Sequence, residues 1–291
     1  MGIAMVAFGI QHLVYVDFVT RLVPKLPVWV PGHSLLALGF GVALSMAGTL
    51  ILFRKTARAS ALLLGAALLA SFVLLYLPMS FVEPSNAGLW VNEGNALALS
   101  GGAFLAAGTL PSEPNGFELR FTALIDQLEK FIPLGTYFLG TFFAYCGVLH
   151  FVYVKLVAAL VPAWIPGHVF WTYFSGVALI AGGVGMNVRP TARLAAALSA
   201  LMVFLWVVLL HIPRALAAFG DSNETTAVFE ALAVAGAALL AAPAGRRAGF
   251  EHFVGTRPII SSTDSLRSGE QQRAGAQEAW ITTAQKDQGC V

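Results

Sequence analysis

Five residues with polar, hydrogen-bonding side chains interrupt otherwise apolar stretches of the chain. They are His12, His150, Tyr153, His168 and His211. A neutral imidazole has one nitrogen that donates a hydrogen bond and one that accepts, so these histidines are candidates for contact with a ligand or a proton. The structural alternative is a histidine bonded to a carbonyl or hydroxyl of a neighbouring helix, which stabilises helix packing. The sequence leaves both interpretations open.

Three charged residues inside the apolar stretches are candidates for charge pairing at membrane depth: Asp17, Lys155 and Glu230. An unpaired charge in an apolar environment costs several kcal/mol. We therefore predict that Lys155 is neutralised by Glu230 or by Asp17. In the alternative arrangement, Lys155 extends outward to a polar surface and Asp17 pairs with Arg21, one helical turn further on.

Signatures of established catalytic sites are missing from the sequence. It contains no glycine-rich phosphate loop, no Gly-x-Ser-x-Gly, no His-Glu-x-x-His and no paired catalytic carboxylates. The two cysteines, Cys146 and Cys290, have no spacing typical of a disulfide framework or a metal site. We therefore predict no catalytic residue, no metal ligand and no catalytic activity of the protein's own.

Composition indicates that the surface of the protein faces lipid. The 291 residues are 57% hydrophobic and only 11% charged, and the mean hydropathy is +0.76. A soluble domain is roughly half apolar and about a quarter charged, so the polar coat that water requires is missing here. The expected partner is a lipid bilayer, and the net charge of +2 is too small to indicate a nucleic acid.

Eight apolar segments are long enough to cross a bilayer, which takes roughly 20 residues of helix. They are residues 2–23, 34–53, 57–77, 88–110, 132–160, 168–187, 191–212 and 226–243. Backbone groups in lipid must be hydrogen-bonded internally, which favours helices. The predicted fold class is therefore all-α, a polytopic membrane protein with eight transmembrane helices.

Basic residues in the short connections predict the orientation of the chain in the membrane. They concentrate between the second and third segments, between the sixth and seventh, and after the last: Arg54, Lys55, Arg58, Arg189, Arg193, Arg246 and Arg247. This bias predicts that both termini lie in the cytoplasm.

The chain contains an internal repeat. The pattern Trp-x-Pro-Gly-His at 29–33 recurs at 164–168, and "GVAL" at 41–44 recurs at 176–179, an offset of 135 residues. Upstream the offset is 138, so that His12 matches His150 and Asp17 matches Lys155. Apolar composition alone does not place such residues in register. Each copy has an even number of segments, which predicts two parallel four-helix repeats.

The repeat and the composition divide the chain into four regions. We predict a first repeat at 1–110, an amphipathic cytoplasmic linker helix at 111–131, a second repeat at 132–243 and a disordered cytoplasmic tail at 244–291. The linker has a candidate N-cap at Asn115 and apolar residues at helical spacing from Phe117 onward; its alternative is a segment that packs on the protein. The first copy has the shorter lead-in, so either its first span is short or the protein starts upstream of Met1.

Three stretches carry a family resemblance: "FGIQHLVYVDFVTRLVP" at 8–24, "CGVLHFVYVKLVAALVPAWIPGHVF" at 146–170 and "LLHIPRAL" at 209–216. They resemble the DoxX-like family of four-span membrane proteins, and the similarity covers residues 5–110 and 138–243. Many members have a glutamate in the second helix where this chain has Leu44 and Leu179. The resemblance implies a bacterial cytoplasmic membrane and, from the namesake, an association with quinone-linked redox complexes.

The resemblance favours an accessory, non-catalytic membrane subunit of quinone-linked redox metabolism, with a quinone as the ligand. Haem would need two histidines that face each other from different helices, which spacing does not show. Two alternatives stay open: a carrier or a small-molecule- or lipid-binding protein, and a scaffold that recruits a soluble cytoplasmic partner. If one copy carries the function, we expect the second, which holds His150, Lys155, His168, His211 and Glu230.

Overall fold

Helices form almost all of the structure, a computed structural model that describes residues 1–19, 21–22, 31–111, 120–218 and 220–254, with side chains through residue 242. The α-helices are α1 Gly2–Tyr15, α2 His33–Leu52, α3 Arg54–Ser71, α4 Leu77–Val82, α5 Ala87–Thr109, α6 Thr122–Glu129, α7 Gly135–Val152, α8 Val154–Ala158, α9 His168–Asn187, α10 Ala192–Trp206, α11 Ile212–Ala217 and α12 Ser222–Val254. Residues Met1–Gly245 form one compact unit. No β-strand occurs within the described ranges, so the all-α prediction is confirmed.

Six helical segments are long and apolar enough to cross a membrane. They are His33–Leu52, Arg54–Val82, Thr122–Val152, His168–Asn187, Ala192–Ala217 and Ser222–Ala242. Large apolar side chains on their outer faces are exposed, for example Leu35 at 74% and Leu194 at 64%. Such exposure is expected where a helix contacts lipid and unusual where it contacts water. Length and composition therefore indicate a multi-pass membrane protein.

The first and fourth predicted segments fall short of this criterion in the described residues. Helix α1 has 14 residues and rises about 21 Å, less than the roughly 30 Å of a hydrocarbon layer. Helix α5 has 23 residues, but Glu93 and Asn95 lower its hydropathy. Both side chains are buried, since α5 packs between α3 and α7.

Glycine pairs bring the helices α1 and α2 together, and likewise α7 and α9. The contacts are Gly2–Gly48 and Gly9–Gly41 in the first pair, and Gly140–Gly183 and Gly147–Gly176 in the second. A Cβ atom on Gly9 would lie 2.6 Å from the carbonyl oxygen of Gly41, and one on Gly147 would lie 2.6 Å from that of Gly176. Only glycine permits so close an approach of two helix backbones.

One π-helical turn interrupts a long helix in each half. The turn Phe72–Tyr76 joins α3 to α4, and Val207–His211 joins α10 to α11. The second residue of the helix that follows each turn is a proline, Pro78 or Pro213. A proline cannot donate to the carbonyl four residues back and clashes with it, so the helix widens locally. Tyr76 and His211 occupy the last position of the two turns.

Helices α2 and α9 start in the same way. Gly32 and Gly167 precede them with φ of 73° and 76°, a left-handed conformation that glycine adopts without strain. Each glycine is followed by a 20-residue helix that begins at a histidine, His33 or His168. Trp164 is 70% exposed, whereas Trp29 lies outside the described residues.

The linker helix α6 packs on the protein, which is the alternative interpretation of the linker. Ile125 and Leu128 are buried in a cluster with Leu62 and Phe104. Arg58 at the start of α3 donates to Oε1 of Glu129 through Nε at 3.0 Å and Nη2 at 2.7 Å. Asn115 and Phe117 lie outside the described residues.

The first helix of each half contacts the last helix of the other. Thr226 of α12 donates to Gln11 of α1 at 2.8 Å, and Tyr145 of α7 donates to the carbonyl of Trp90 in α5 at 2.9 Å. Helices α5 and α12 meet each other at Gly102 and Ala237, where a Cβ on the glycine would lie 2.7 Å from the alanine Cβ. The last helix continues to Val254, past the start of the predicted tail, and residues 255–291 lie outside the described part.

Candidate functional site

A cavity of about 550 Å³ lies among the helices of the second half. Its walls come from α7, α8, α9, α10 and α12, and the first half adds the start of α5 and Arg21. The lining is mostly aliphatic and aromatic, with the large rings of Phe142, Trp171, Phe174 and Trp206. Polar groups are fewer. Besides two hydroxyls and two indole N–H groups, from Thr172, Ser175, Trp171 and Trp206, they are Arg21, Asn95, His150, Tyr153, His211 and Glu230.

His150 offers the cavity a hydrogen-bond acceptor. Its Nδ1 lies 2.8 Å from the carbonyl oxygen of Cys146, one turn earlier in α7. A carbonyl can only accept, so Nδ1 must carry the proton and Nε2 of the neutral ring carries a lone pair. Among the described residues, the bond to Cys146 is the only hydrogen bond of this side chain. The ring stacks on Trp206 with centroids 6.1 Å apart.

His12, the matching residue of the first half, has both ring nitrogens engaged. Nδ1 lies 2.7 Å from the carbonyl oxygen of Phe8, and Nε2 accepts from the backbone N–H of Val19 at 3.2 Å. The side chain is fully buried, with the rings of Phe18 and Phe40 packed around it at centroid distances of 6.1 and 5.2 Å. His12 is therefore a satisfied structural residue, and no nitrogen remains for an iron ligand.

A backbone turn after α1 closes the first half around His12. Val16 has φ of 53°, a left-handed conformation that costs a β-branched residue roughly 1–2 kcal/mol. The turn sends the chain back over α1, so that Phe18, Val19 and Leu22 are all buried. In the second half the break at Tyr153 is followed by the short helix α8, and Leu156, which matches Phe18, is 55% exposed.

Glu230 is neutralised by Arg21, whereas the sequence predicts Lys155 as its partner. The Oε2 atom of Glu230 accepts from Nη1 of Arg21 at 2.7 Å, and Nε of Arg21 donates to Asn223 at 2.8 Å. Glu230 is 4% exposed. The amide of Asn95 lies beside the carboxylate, but no described group gives Oε1 a hydrogen bond of good geometry.

Lys155 and Asp17 both lie at the surface and apart from this ion pair. The Lys155 side chain is exposed on α8, which is the outward arrangement that the sequence leaves as an alternative. Asp17 accepts from its neighbour's backbone N–H at 2.7 Å and lies 3.5 Å from Nε2 of His33. The backbone changes direction at Val16, and Arg21 then lies beside α12. Arg21 rather than Lys155 is therefore close enough to bond Glu230.

Three of the five polar candidates line the cavity together: His150, Tyr153 and His211. His211 is presented by the π-helical turn before Pro213 and makes no side-chain hydrogen bond to any described residue. His168 is outside the cavity lining; its carbonyl accepts from Thr172 at 2.9 Å at the start of α9. His12 belongs to the closed first half. No group of three potential metal-binding side chains occurs in the described part of the chain.

Arg21 and Trp206 are lining residues that the sequence did not indicate. For Trp206 the repeat holds a usable signal, because its match at the offset of 135 is Ser71. The same comparison matches Ser175, which lines the cavity, with Phe40, which packs on His12. For Arg21 the match at the offset of 138 is Ala159, but this difference does not predict the contact with α12, which depends on the backbone turn.

Comparison with known proteins adds one match. The model of a family described as "Domain of unknown function (DUF8561)" matches residues 139–228. That stretch holds His150, Tyr153 and His211 but neither Arg21 nor Glu230. No curated protein and no solved structure matches the chain.

Proposed function

We propose that this protein binds a lipid-soluble small molecule of the quinone class in the cavity of its second half, and that it acts as an accessory membrane subunit without catalysis of its own. The observation that carries the proposal is a cavity of about 550 Å³ with an apolar, aromatic wall and a lone pair on His150. Small-molecule sites in proteins have volumes of roughly 300–1,000 Å³, with mostly apolar walls and a few oriented polar groups.

The architecture that supports this proposal is a bundle of eight helices in lipid, arranged as two parallel four-helix repeats. The glycine pairs, the π-helical turns and the left-handed glycines recur at the same offsets as the sequence motifs. Gly102 and Ala237 occupy matching positions and touch each other, as expected for residues beside a twofold axis. On this arrangement α1 and α5 are the first and fourth spans.

The family context remains a proposal that rests on the sequence. The resemblance to DoxX-like proteins over 5–110 and 138–243 supports a bacterial cytoplasmic membrane and a quinone-linked redox complex as partner. The basic connections support cytoplasmic termini.

Mass spectrometry of the protein purified with its native lipids tests the function. We expect a quinone or quinol to co-purify with the wild type and to be depleted at least tenfold in Ala231→Phe, which fills the cavity. Leu201→Phe is the matched control, because Leu201 is 54% exposed on α10 and does not line the cavity. Equal amounts of quinone in both variants would contradict the proposal.

A carrier for a hydrophilic solute is the second candidate, since both halves interrupt the same long helix with a π-helical turn. Interrupted helices in corresponding places of two halves are typical of carriers. A hydrophilic solute in the same mass spectra would favour the carrier. A scaffold predicts a protein free of ligand that holds a stoichiometric soluble partner.

A further inference from the structure

The contacts around His12 in the first half indicate what kind of group can bind beside His150 in the second half. At His12 the lone pair of Nε2 accepts a hydrogen bond from the backbone N–H of Val19, 3.2 Å away. The chain itself supplies that donor, together with the apolar side chains of Phe18 and Leu22, which are 9% and 2% exposed. The segment 16–22 is thus an internal occupant: an apolar body that carries one hydrogen-bond donor.

The matching place in the second half has the same acceptor and no internal occupant. Nδ1 of His150 bonds the carbonyl of Cys146 at 2.8 Å, just as Nδ1 of His12 bonds that of Phe8 at 2.7 Å. The two rings are therefore held in the same tautomer. Leu156 is exposed where Phe18 is buried, and Ser175 stands where Phe40 packs on His12.

We infer that the occupant of the second cavity is a donor: a molecule with a hydroxyl group on its head that hydrogen-bonds to Nε2 of His150. Within the quinone class this selects the reduced hydroquinone, whose ring carries O–H groups. The oxidised quinone carries only carbonyl oxygens, which can accept from lining donors such as Arg21 or Tyr153 but cannot bond the lone pair of His150. The inference rests on the proposed function and adds the redox form that the site prefers.

Binding to the full-length protein in lipid nanodiscs tests the inference with three ligands that share one apolar body. The probes are a decyl-substituted hydroquinone kept reduced under argon, the corresponding benzoquinone, and the dimethyl ether of the hydroquinone. Binding to empty nanodiscs is subtracted. We expect the hydroquinone to bind about tenfold more tightly than either of the other two, since the ether keeps the shape and loses the donors.

The variant His150→Asn tests whether the preference for the hydroquinone arises at His150. An asparagine amide can still donate to the Cys146 carbonyl but leaves no acceptor where Nε2 lies, so we expect the tenfold preference to vanish. His168→Gln is the control and should keep it, because His168 is outside the lining. If all three ligands bind the wild type equally, or His150→Asn keeps the preference, the inference is wrong and the proposed function stands. If none of them binds, the proposed function itself is wrong. If His150→Asn does not fold, the comparison of the three ligands on the wild type is sufficient to decide.

Discussion

The two halves of this protein place the same histidine on the same helix and then treat it in opposite ways. His12 is fully buried and bonded through both nitrogens, whereas His150 is bonded through one nitrogen and borders a cavity of about 550 Å³. The helices that carry them are packed by the same glycine contacts. The difference arises in the segment after the helix, so a short connection decides whether a polar residue is structural or available.

Disrupting the glycine contacts that both halves share should have the largest effect on folding. We predict that Gly147→Leu yields no folded protein, because its Cβ would lie 2.6 Å from the carbonyl oxygen of Gly176 and overpacking of backbone against backbone cannot relax. Size-exclusion chromatography in detergent measures the outcome. Gly39→Leu is the control, since no atom lies within 4 Å of that Cβ position; a monodisperse Gly147→Leu protein would contradict the packing.

Removal of the cation that joins the halves should have the next largest effect. We predict that Arg21→Met lowers the free energy of unfolding by about 3–5 kcal/mol, because it leaves the carboxylate of Glu230 buried without its partner. The double variant Arg21→Met, Glu230→Leu should recover most of the loss. Denaturation in detergent micelles measures both, and a single variant as stable as the wild type would rule the pair out as a structural element.

Truncating the side chain that covers His12 sharpens the comparison. We predict that Phe18→Ala costs about 3 kcal/mol of stability, because it empties the space beside His12. The number of bound hydroquinone molecules should stay at one, because Nε2 of His12 still accepts from the N–H of Val19. Leu156→Ala, the matching change in the second half, should cost less than about 1 kcal/mol, since that side chain is already exposed. A Phe18→Ala protein as stable as the wild type, or one that binds a second hydroquinone, would contradict this account of the first half.

The smallest effect is expected at Lys155. The exposed Lys155→Met substitution should change the free energy of unfolding by less than about 0.5 kcal/mol. A loss of several kcal/mol would instead restore Lys155 as an intramembrane partner, as the sequence first predicts.

The sequence predicts most of the frame and about half of the site. Hydropathy places the helices, and the repeat matches His12 with His150 before any contact is known. Glu93 and Asn95 lower the hydropathy of α5, and both side chains are shielded by neighbouring helices, which no local pattern reveals. The partner of Glu230 and the fate of the two histidines depend on the left-handed turn at Val16. Valine rarely adopts a positive φ, so the sequence does not predict this turn, and the two contacts that depend on it are visible only in the structure.

Arg21, Asn95 and the first turns of α5 make one wall of a cavity that otherwise belongs to the second half. The two copies are therefore not interchangeable modules: the second, expressed by itself, would lack a wall and the counter-ion of Glu230. Substitutions in the first half, at positions such as Arg21 or Asn95, can consequently change the shape and charge of this cavity. Any attempt to transplant the cavity must carry both halves in one polypeptide.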